Sequence, residues 1–190
     1  TAVKVLAPGA VAVSFTINEG PPTILRSFVV SGLDSVPGGA RLLRGVSLRA
    51  GSRFDRFAID ATADTIRERL HNSGYPRADA TNNFVVNDSA LSAWDTLYVS
   101  PGSRTRIGRI DIDVTPMPNK KQQIPTTVVR RIMGLDSGNL FREDEILDAQ
   151  RAIYQTEAYQ HVSITPDSSQ DTVVTLHVNL AEAPMHAARV

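Results

Sequence analysis

Residues 11–17 read VAVSFTI and run directly into NEGPP at residues 18–22, and this strand followed by a Pro/Gly turn organises the chain. The pattern returns as DTLYV at residues 95–99 before SPG, and as VTLHVNL at residues 174–180 before AEAP. The equivalent turn positions are Gly20, Gly102 and Ala183, which are separated by 82 and 81 residues. A repeat of this length has the size of a small domain.

A second pattern recurs inside the same period. Residues 50–55 (AGSRFD) and residues 137–142 (SGNLFR) each precede a helical pattern, with Gly51 and Gly138 separated by 87 residues. At that offset Phe54 falls on Phe141 and Ile59 on Ile146. Each repeat therefore predicts the order strand, helix, helix, strand, strand.

In the first repeat, strands are predicted at residues 24–31, 77–86 and 95–100, the last two being joined by a longer polar loop at residues 87–93. A short helix is expected around residues 40–44. A longer helix begins after the N-cap residue Asp55 and ends at Gly74, which favours a left-handed backbone. Its buried stripe comprises Ile59, Ala63, Ile66 and Leu70.

The second repeat predicts strands at residues 107–114, 161–165 and 172–180, and helices at residues 126–133 and from Glu143 onward. Residues 1–20 fit the final hairpin of a truncated preceding repeat, with Val3 and Val5 on one strand and Val11, Val13, Phe15 and Ile17 on the next. The predicted domain plan is residues 1–20 (hairpin), 21–102 and 103–184 (two repeats), and 185–190 (start of a next segment).

Composition excludes several functions. The 190 residues contain 20 basic and 20 acidic side chains, so the chain has no excess of positive charge with which to bind nucleic acid. The chain has no cysteine, which removes thiolate metal sites and cysteine nucleophiles. Aromatic residues make up only 6%, which does not favour a large aromatic-lined ligand pocket.

No sequence motif for phosphate binding, dinucleotide binding or nucleophilic catalysis is present. Glu143, Asp144 and Glu145 could be imagined as acid–base carboxylates, but favourable interaction with a helix dipole explains them better. A hairpin turn about residue 169 would place His161 and His177 directly opposite each other. A metal site there lacks a third ligand, so a solvated pair is favoured. We therefore predict no catalytic residue, no metal ligand and no cofactor, and do not expect an enzyme.

Taken together, the repeats resemble the POTRA domain. The similarity rests on Gly51 and Phe54 before the long helix, Gly74-Tyr75 after it, and the closing strand that runs into Glu19-Gly-Pro-Pro22 and a new apolar strand. The second copy keeps Gly138, Phe141 and Tyr159. Such repeats form arms of outer-membrane β-barrel assembly factors of the BamA and TamA type. The resemblance implies an α+β fold of tandem POTRA repeats, each with a three-stranded mixed sheet and two helices on one face.

The resemblance also implies that the last strand of each repeat is central and that the strand after the long helix lies at an edge. An edge strand can pair with another extended chain, which is β-augmentation. The expected binding residues lie on these two edge strands: Arg77, Ala78, Asp79, Ala80, Thr81, Asn82, Asn83, Phe84, His161, Val162, Ser163, Ile164 and Thr165.

The function implied by the resemblance is an arm on the periplasmic side of the outer membrane that guides unfolded outer-membrane proteins to a barrel. Accessory lipoproteins and the C-terminal barrel of the same parent chain are further expected partners. The alternative is a structural connector or partner-docking arm, of a TamA-like translocation or two-partner secretion type, that does not touch substrate.

Overall fold

A computed structural model of the chain describes residues 2–7, 10–15, 17–167 and 172–184. The segment predicted at residues 185–190 lies outside the described residues. Within them the chain forms an N-terminal hairpin followed by two three-stranded sheets. Among the described residues, no helix combines the length and the apolar composition needed to cross a bilayer.

The N-terminal hairpin consists of β1 (Ala2–Ala7) and β2 (Ala10–Ser14), which pair antiparallel. Phe15 and Ile17 were predicted in the second strand, and that prediction is wrong because both lie beyond its end and are exposed. A local turn takes over there, since the Asn18 side chain accepts a hydrogen bond from the Gly20 N–H at 3.2 Å. Such local bonds compete with strand pairing.

The first sheet has the order β3-β5-β4, with β3 (Ile24–Ser31) parallel to β5 (Ser92–Ser100) and β4 (Asp79–Asn87) antiparallel to it. The prediction of a long polar loop at residues 87–93 is wrong, because only four residues separate β4 from β5. Ser92 and Ala93 are buried in β5. The Ser92 hydroxyl donates to the Ala90 carbonyl at 2.9 Å, so a polar residue is accommodated in the strand.

Helix α1 (Arg56–His71) confirms the predicted cap and stripe. The Asp55 carboxylate accepts the N–H groups of Phe57 and Ala58, and the four stripe residues are buried. Gly74 has φ +97°, which lets the Tyr75 N–H donate to the Leu70 carbonyl at 3.0 Å. The predicted short helix is a 3₁₀ turn at Gly39–Leu43, since glycines at its start do not favour an α-helix.

The second sheet repeats this topology, with the order β6-β8-β7. Its strands are β6 (Arg106–Thr115), β7 (Tyr159–Asp167) and β8 (Val173–Glu182). Helices α2 (Thr126–Met133) and α3 (Glu143–Tyr154) pack on one face of it, as predicted. In both sheets the last strand is central, and the strand after the long helix lies at an edge.

The prediction that His161 and His177 oppose each other is wrong. His161 lies opposite Ala181, and His177 lies opposite Thr165. The two registers differ by a slide of four residues, an even number, so both leave the same apolar residues on the core face. Hydrophobic alternation therefore could not distinguish them. His177 instead lies 3.9–4.0 Å from carboxylate oxygens of Asp111 and Asp167.

The two cores differ at one position of the central strand. Leu176 in β8 is fully buried inside a single apolar cluster. Eighty-one residues earlier, β5 has Asp95 at the same place, 2% exposed, and the apolar core of the first sheet is divided into two clusters. Neither carboxyl oxygen of Asp95 has a hydrogen-bond partner of good geometry. An unpaired buried carboxyl destabilises the fold.

Several contacts connect the two units directly. The Asn72 side chain accepts the Asp144 N–H at 3.0 Å and so caps the N-terminus of α3 from the preceding unit. His71 Nδ1 lies 2.8 Å from Glu143 Oε2, and its Nε2 lies 3.1 Å from the Ala78 carbonyl. Besides the predicted interaction with the helix dipole, Glu143 therefore contacts a side chain of the preceding unit.

Replacing Asp95 tests this account of the core. Burial raises the pKa of the Asp95 carboxyl, the charge of Asp60 raises it further, and the nearby Thr96 N–H opposes both. The folded protein thus keeps the proton to higher pH than the unfolded chain, whose carboxyl has its ordinary pKa near 3.8. We therefore expect the free energy of unfolding to fall as the pH rises above the pKa of the unfolded chain and through the raised pKa of the folded protein.

We expect Asp95→Leu to raise the free energy of unfolding at pH 7 by about 1–3 kcal/mol and to remove this fall. Urea unfolding at several pH values measures both effects. Asp113→Asn, at an exposed strand position, is the control and should leave the pH slope unchanged. Equal pH slopes in Asp95→Leu and the parent protein would contradict the account.

Candidate functional site

The structure places the predicted binding residues along two sheet edges. In the first unit, Arg77 and Ala78 precede β4, and the other six residues lie within it. In the second unit all five lie within β7. Along β4, and along β7 after its bulge at residues 159–161, the even-numbered residues face the long helix, and most odd-numbered residues face the open side of the sheet. Each edge therefore presents a backbone with a helix beside it.

On β4, the backbone groups that face outward belong to the even-numbered residues. The carbonyl of Val99 on β5 points toward β3, where it approaches Gly32 so closely that any Cβ would overlap it. The backbone groups of Ala80 and Val99 are therefore not hydrogen-bonded to each other. The N–H and the carbonyl of Ala80 point away from β5, toward the open edge of the sheet. Arg67 Nη2 lies 3.4 Å from the outward carbonyl of Ala80, so this end of the edge is partly covered.

On β7, a proline identifies the same alternation. Pro166 lies opposite Leu176 and has no N–H, so it is tolerated on an edge strand only where the N–H would face outward. Val162 and Ile164 share that orientation by the two-residue period, whereas Ser163 and Thr165 face β8. Pro166 also limits pairing near the end of this edge.

The groove beside β4 is lined with charge. It has a volume of about 380 Å³ between α1 and β4 and contains two arginines and three aspartates, together with Asn82 and Phe84. Arg67 forms ion pairs with Asp64 at 2.9 Å and Asp79 at 3.6 Å, and Arg56 lies over the Phe84 ring. Charged side chains that line this groove are therefore already bound to one another.

The groove beside β7 carries less charge. It has a volume of about 270 Å³ and is lined by the large side chains of Leu147, Tyr154 and Val162, together with Gln150 and Arg151. Leu147 is 50% exposed and Tyr154 63% exposed. The sequence prediction missed both helix residues. Their seven-residue spacing was an available signal, because residues seven apart lie on one face of a helix, next to the buried Ile146 and Ile153.

The faces of the two sheets that carry no helix differ in the opposite sense to the grooves, because here the first unit is the more apolar one. On the first sheet, Trp94 (41% exposed) and Tyr98 (53% exposed) lie on the central strand, with Val29 and Val85 exposed on the neighbouring strands. On the second sheet the positions equivalent to these aromatics are Thr175 and Asn179. Only the first unit therefore presents an apolar open face among the described residues.

Comparison with known proteins identifies the class of fold. The chain is similar to POTRA domains 3–5 of BamA from Haemophilus influenzae, with 19% identity over 87% of this chain and 63% of that one, and a TM-score of 0.64. It is also similar to Haemophilus ducreyi BamA lacking POTRA domains 1–3, with 18% identity over 82% of this chain, 28% of that one, and a TM-score of 0.64.

A third similar structure is POTRA domains 1–2 of the periplasmic domain of Omp85 from Anabaena, with 17% identity, 87% of this chain and 99% of that one covered, and a TM-score of 0.51. No protein-family model and no curated protein matches the sequence. The two three-stranded units have the POTRA fold, as predicted. The chain spans less than two thirds of the two BamA chains.

Proline substitutions on β7 test the assignment of outward-facing groups. We expect Val162→Pro to fold, with a loss of less than about 1 kcal/mol, because the N–H that it removes faces outward. We expect Ser163→Pro to lower the free energy of unfolding by about 2 kcal/mol or more, because its N–H belongs to the ladder with β8. Urea unfolding monitored by circular dichroism measures both losses. The reverse order of the two would show that the assignment is wrong.

Proposed function

We propose that this chain belongs to the periplasmic arm of an Omp85-type outer-membrane protein, and that it binds extended segments of unfolded outer-membrane proteins. The fold of BamA and Omp85 POTRA domains supports the first part. The second part rests on one observation. On β7, backbone groups that face outward lie beside a groove whose wall includes the exposed side chains of Leu147 and Tyr154.

An added strand would use both features at once. Its backbone would pair with the outward groups of Val162 and Ile164, and its alternate side chains would point toward α3. Those side chains would cover Leu147 and Tyr154, which otherwise remain in contact with water. Transmembrane β-strands alternate apolar and polar residues, so one face of such a strand suits this groove. The polar open side beside His161 and Thr165 suits the other face.

The β4 edge is a weaker candidate for the same role. Arg67 covers the Ala80 carbonyl, and the groove beside it is lined by paired charges. An apolar side chain that entered this groove would desolvate arginine and aspartate groups without supplying partners for them. We therefore assign apolar strand segments to β7. The predicted set at residues 77–84 remains a proposal for more polar segments.

Binding of a ten-residue peptide with alternating apolar and polar residues tests the proposal. We expect Leu147→Ser combined with Tyr154→Ser to weaken binding at least tenfold, since burial of the two side chains contributes well over about 1 kcal/mol. Fluorescence anisotropy of the labelled peptide gives the affinity. In the parent protein, hydrogen exchange should slow at the amides of Val162 and Ile164 when peptide is added.

Phe57→Ser is the matched control, since Phe57 is exposed on α1 and lines neither groove. It should leave the affinity unchanged. If the peptide binds equally well to the double variant, or if it protects no amide of β7, binding at this edge does not occur.

A second candidate function, that of a connector between neighbouring modules, is supported by the contacts at the junction. The cap from Asn72 to α3 and the pair between His71 and Glu143 both restrict the angle between the units. In addition, the Leu140 side chain lies where a Cβ on Gly74 would be. Accessory lipoproteins could then dock on a platform of fixed orientation.

Removal of the polar contacts tests the connector function. We expect Asn72→Ala combined with Glu143→Ala to broaden the distribution of inter-unit angles, because these side chains supply the helix cap and the contact with His71. Small-angle X-ray scattering and residual dipolar couplings of the two sheets measure the angle. Glu145→Ala is the control, since Glu145 lies on the same helix and pairs at 3.6 Å with Arg142 of its own unit. An unchanged distribution in the double variant would argue against a connector held by these contacts.

A further inference from the structure

The imidazole ring of His71 has a hydrogen-bond acceptor on each side. Its Nδ1 lies 2.8 Å from Glu143 Oε2 in the second unit, and its Nε2 lies 3.1 Å from the Ala78 carbonyl oxygen in the first. An ionised carboxylate and a carbonyl can only accept hydrogen bonds, whereas a neutral imidazole carries a single N–H. Both contacts are therefore hydrogen bonds only when the ring carries both of its protons.

A neutral His71 ring would leave one of these two contacts without a hydrogen. The side chain of His71 is only 19% exposed, so water has limited access to replace the missing partner. A nitrogen lone pair that faces an oxygen lone pair in such a place costs free energy. Loss of a ring proton therefore weakens the contact with Glu143 or the contact with Ala78.

The contact of His71 with Glu143 is one of a small group that joins the two units. The neighbouring Asn72 side chain accepts the Asp144 N–H at 3.0 Å. The Leu140 side chain of the second unit lies against Gly74 of the first. This last contact is apolar and does not depend on protonation, so the units can move about it while the polar contacts form and break.

The fold itself does not require the pair of His71 and Glu143. Four residues before the tyrosine that follows the long helix, the first unit has His71 and the second has Gln155. Two residues after the phenylalanine that precedes the long helix, the second unit has Glu143 and the first has Arg56. Glutamine and arginine do not change charge near neutral pH. The titratable pair is thus an addition at this junction.

The other charged groups around His71 come from three parts of the structure. They are Arg67 and Glu68 on the preceding turn of α1, Arg77 and Asp79 on either side of Ala78, and Arg104, Arg142 and Asp144 of the second unit. Arginine stays charged, carboxyl groups ordinarily lose their proton below about pH 5, and histidine ordinarily changes charge between about pH 5 and 8. These neighbours therefore present a constant charge over the range in which histidine titrates.

We propose that protonation of His71 is a pH-sensitive lock on the junction between the two units. The imidazolium form donates to both Glu143 and Ala78 and holds the units at one angle. The neutral form loses one of the two bonds, and the units then move about the contact of Leu140 with Gly74. The lock rests on the connector function proposed above and adds a regulator to it, since the arm is stiffer in mild acid than in mild alkali.

Hydrogen exchange at the Asp144 amide reports on the junction, because this N–H in the first turn of α3 is bound by Asn72 of the other unit. The protection factor is corrected for the intrinsic effect of pH on exchange. We expect it to fall at least about tenfold between about pH 5.5 and about pH 8. Nitrogen-15 shifts of the His71 ring should change from imidazolium to neutral values over the same range.

Glu143→Gln is the decisive variant. A carboxamide accepts from a protonated ring and donates to a neutral one, so both contacts of His71 persist at either pH. The Asp144 protection factor of this variant should therefore not depend on pH. Glu145→Gln is the matched control and should respond as the parent does, since Glu145 lies on the same helix and pairs with Arg142 of its own unit. Asp95, whose pKa is raised, is present in both variants, so their difference assigns the response to the contact of His71 with Glu143.

A constant protection factor in the parent protein, or a pH response that persists in Glu143→Gln, would show that His71 is not a lock. The connector function would survive either result if Asn72→Ala combined with Glu143→Ala still broadens the distribution of inter-unit angles. If that double variant leaves the distribution unchanged, the connector function and the lock fail together.

Discussion

The position of the last strand in each sheet is the constraint on which the rest of the structure depends. Strand β5 pairs with β3 on one side and β4 on the other, and β8 does the same with β6 and β7. Because the last strand fills the centre, the strand made just before it must lie at an edge. The long helix that precedes this edge strand in the chain packs beside it, which creates the groove. The geometry of the proposed binding edge is thus a consequence of topology.

The same topology carries different chemistry in the two units. The core of the second unit is continuous, whereas Asp95 divides that of the first at the position where the second has Leu176. The grooves differ in the same sense, since two arginines and three aspartates line the first, whereas Leu147, Tyr154 and Val162 line the second with a single charged residue, Arg151. The same fold therefore presents two chemically different edges, and the proposed function assigns apolar segments to the second of them.

Periodicity made most of the fold predictable. Features that depend on a local sequence pattern were predicted correctly. They are the buried stripe from Ile59 to Leu70, the N-cap at Asp55 and the helix at Thr126–Met133. The register of β7 against β8 could not be predicted from the sequence, because a shift of four residues leaves every side chain on the same face of the sheet. The contact of Glu143 with His71 was also missed, since the helix-dipole interpretation considered α3 alone. Contacts between units leave no periodic signal in the sequence.

The edge of β7 also limits how binding can be achieved. On β7, Val162 and Ile164 are the two residues of the predicted set whose N–H and carbonyl groups both face outward, and Pro166 beyond them lacks an N–H. Each hydrogen bond contributes about 0.5–1.5 kcal/mol net, and part of this offsets the ordering of an extended chain. Backbone pairing alone therefore gives weak binding. Under the proposed function, side chains that fill the groove at Leu147 and Tyr154 must supply the remainder, so this edge would distinguish amphipathic strands from uniformly polar ones while still releasing them.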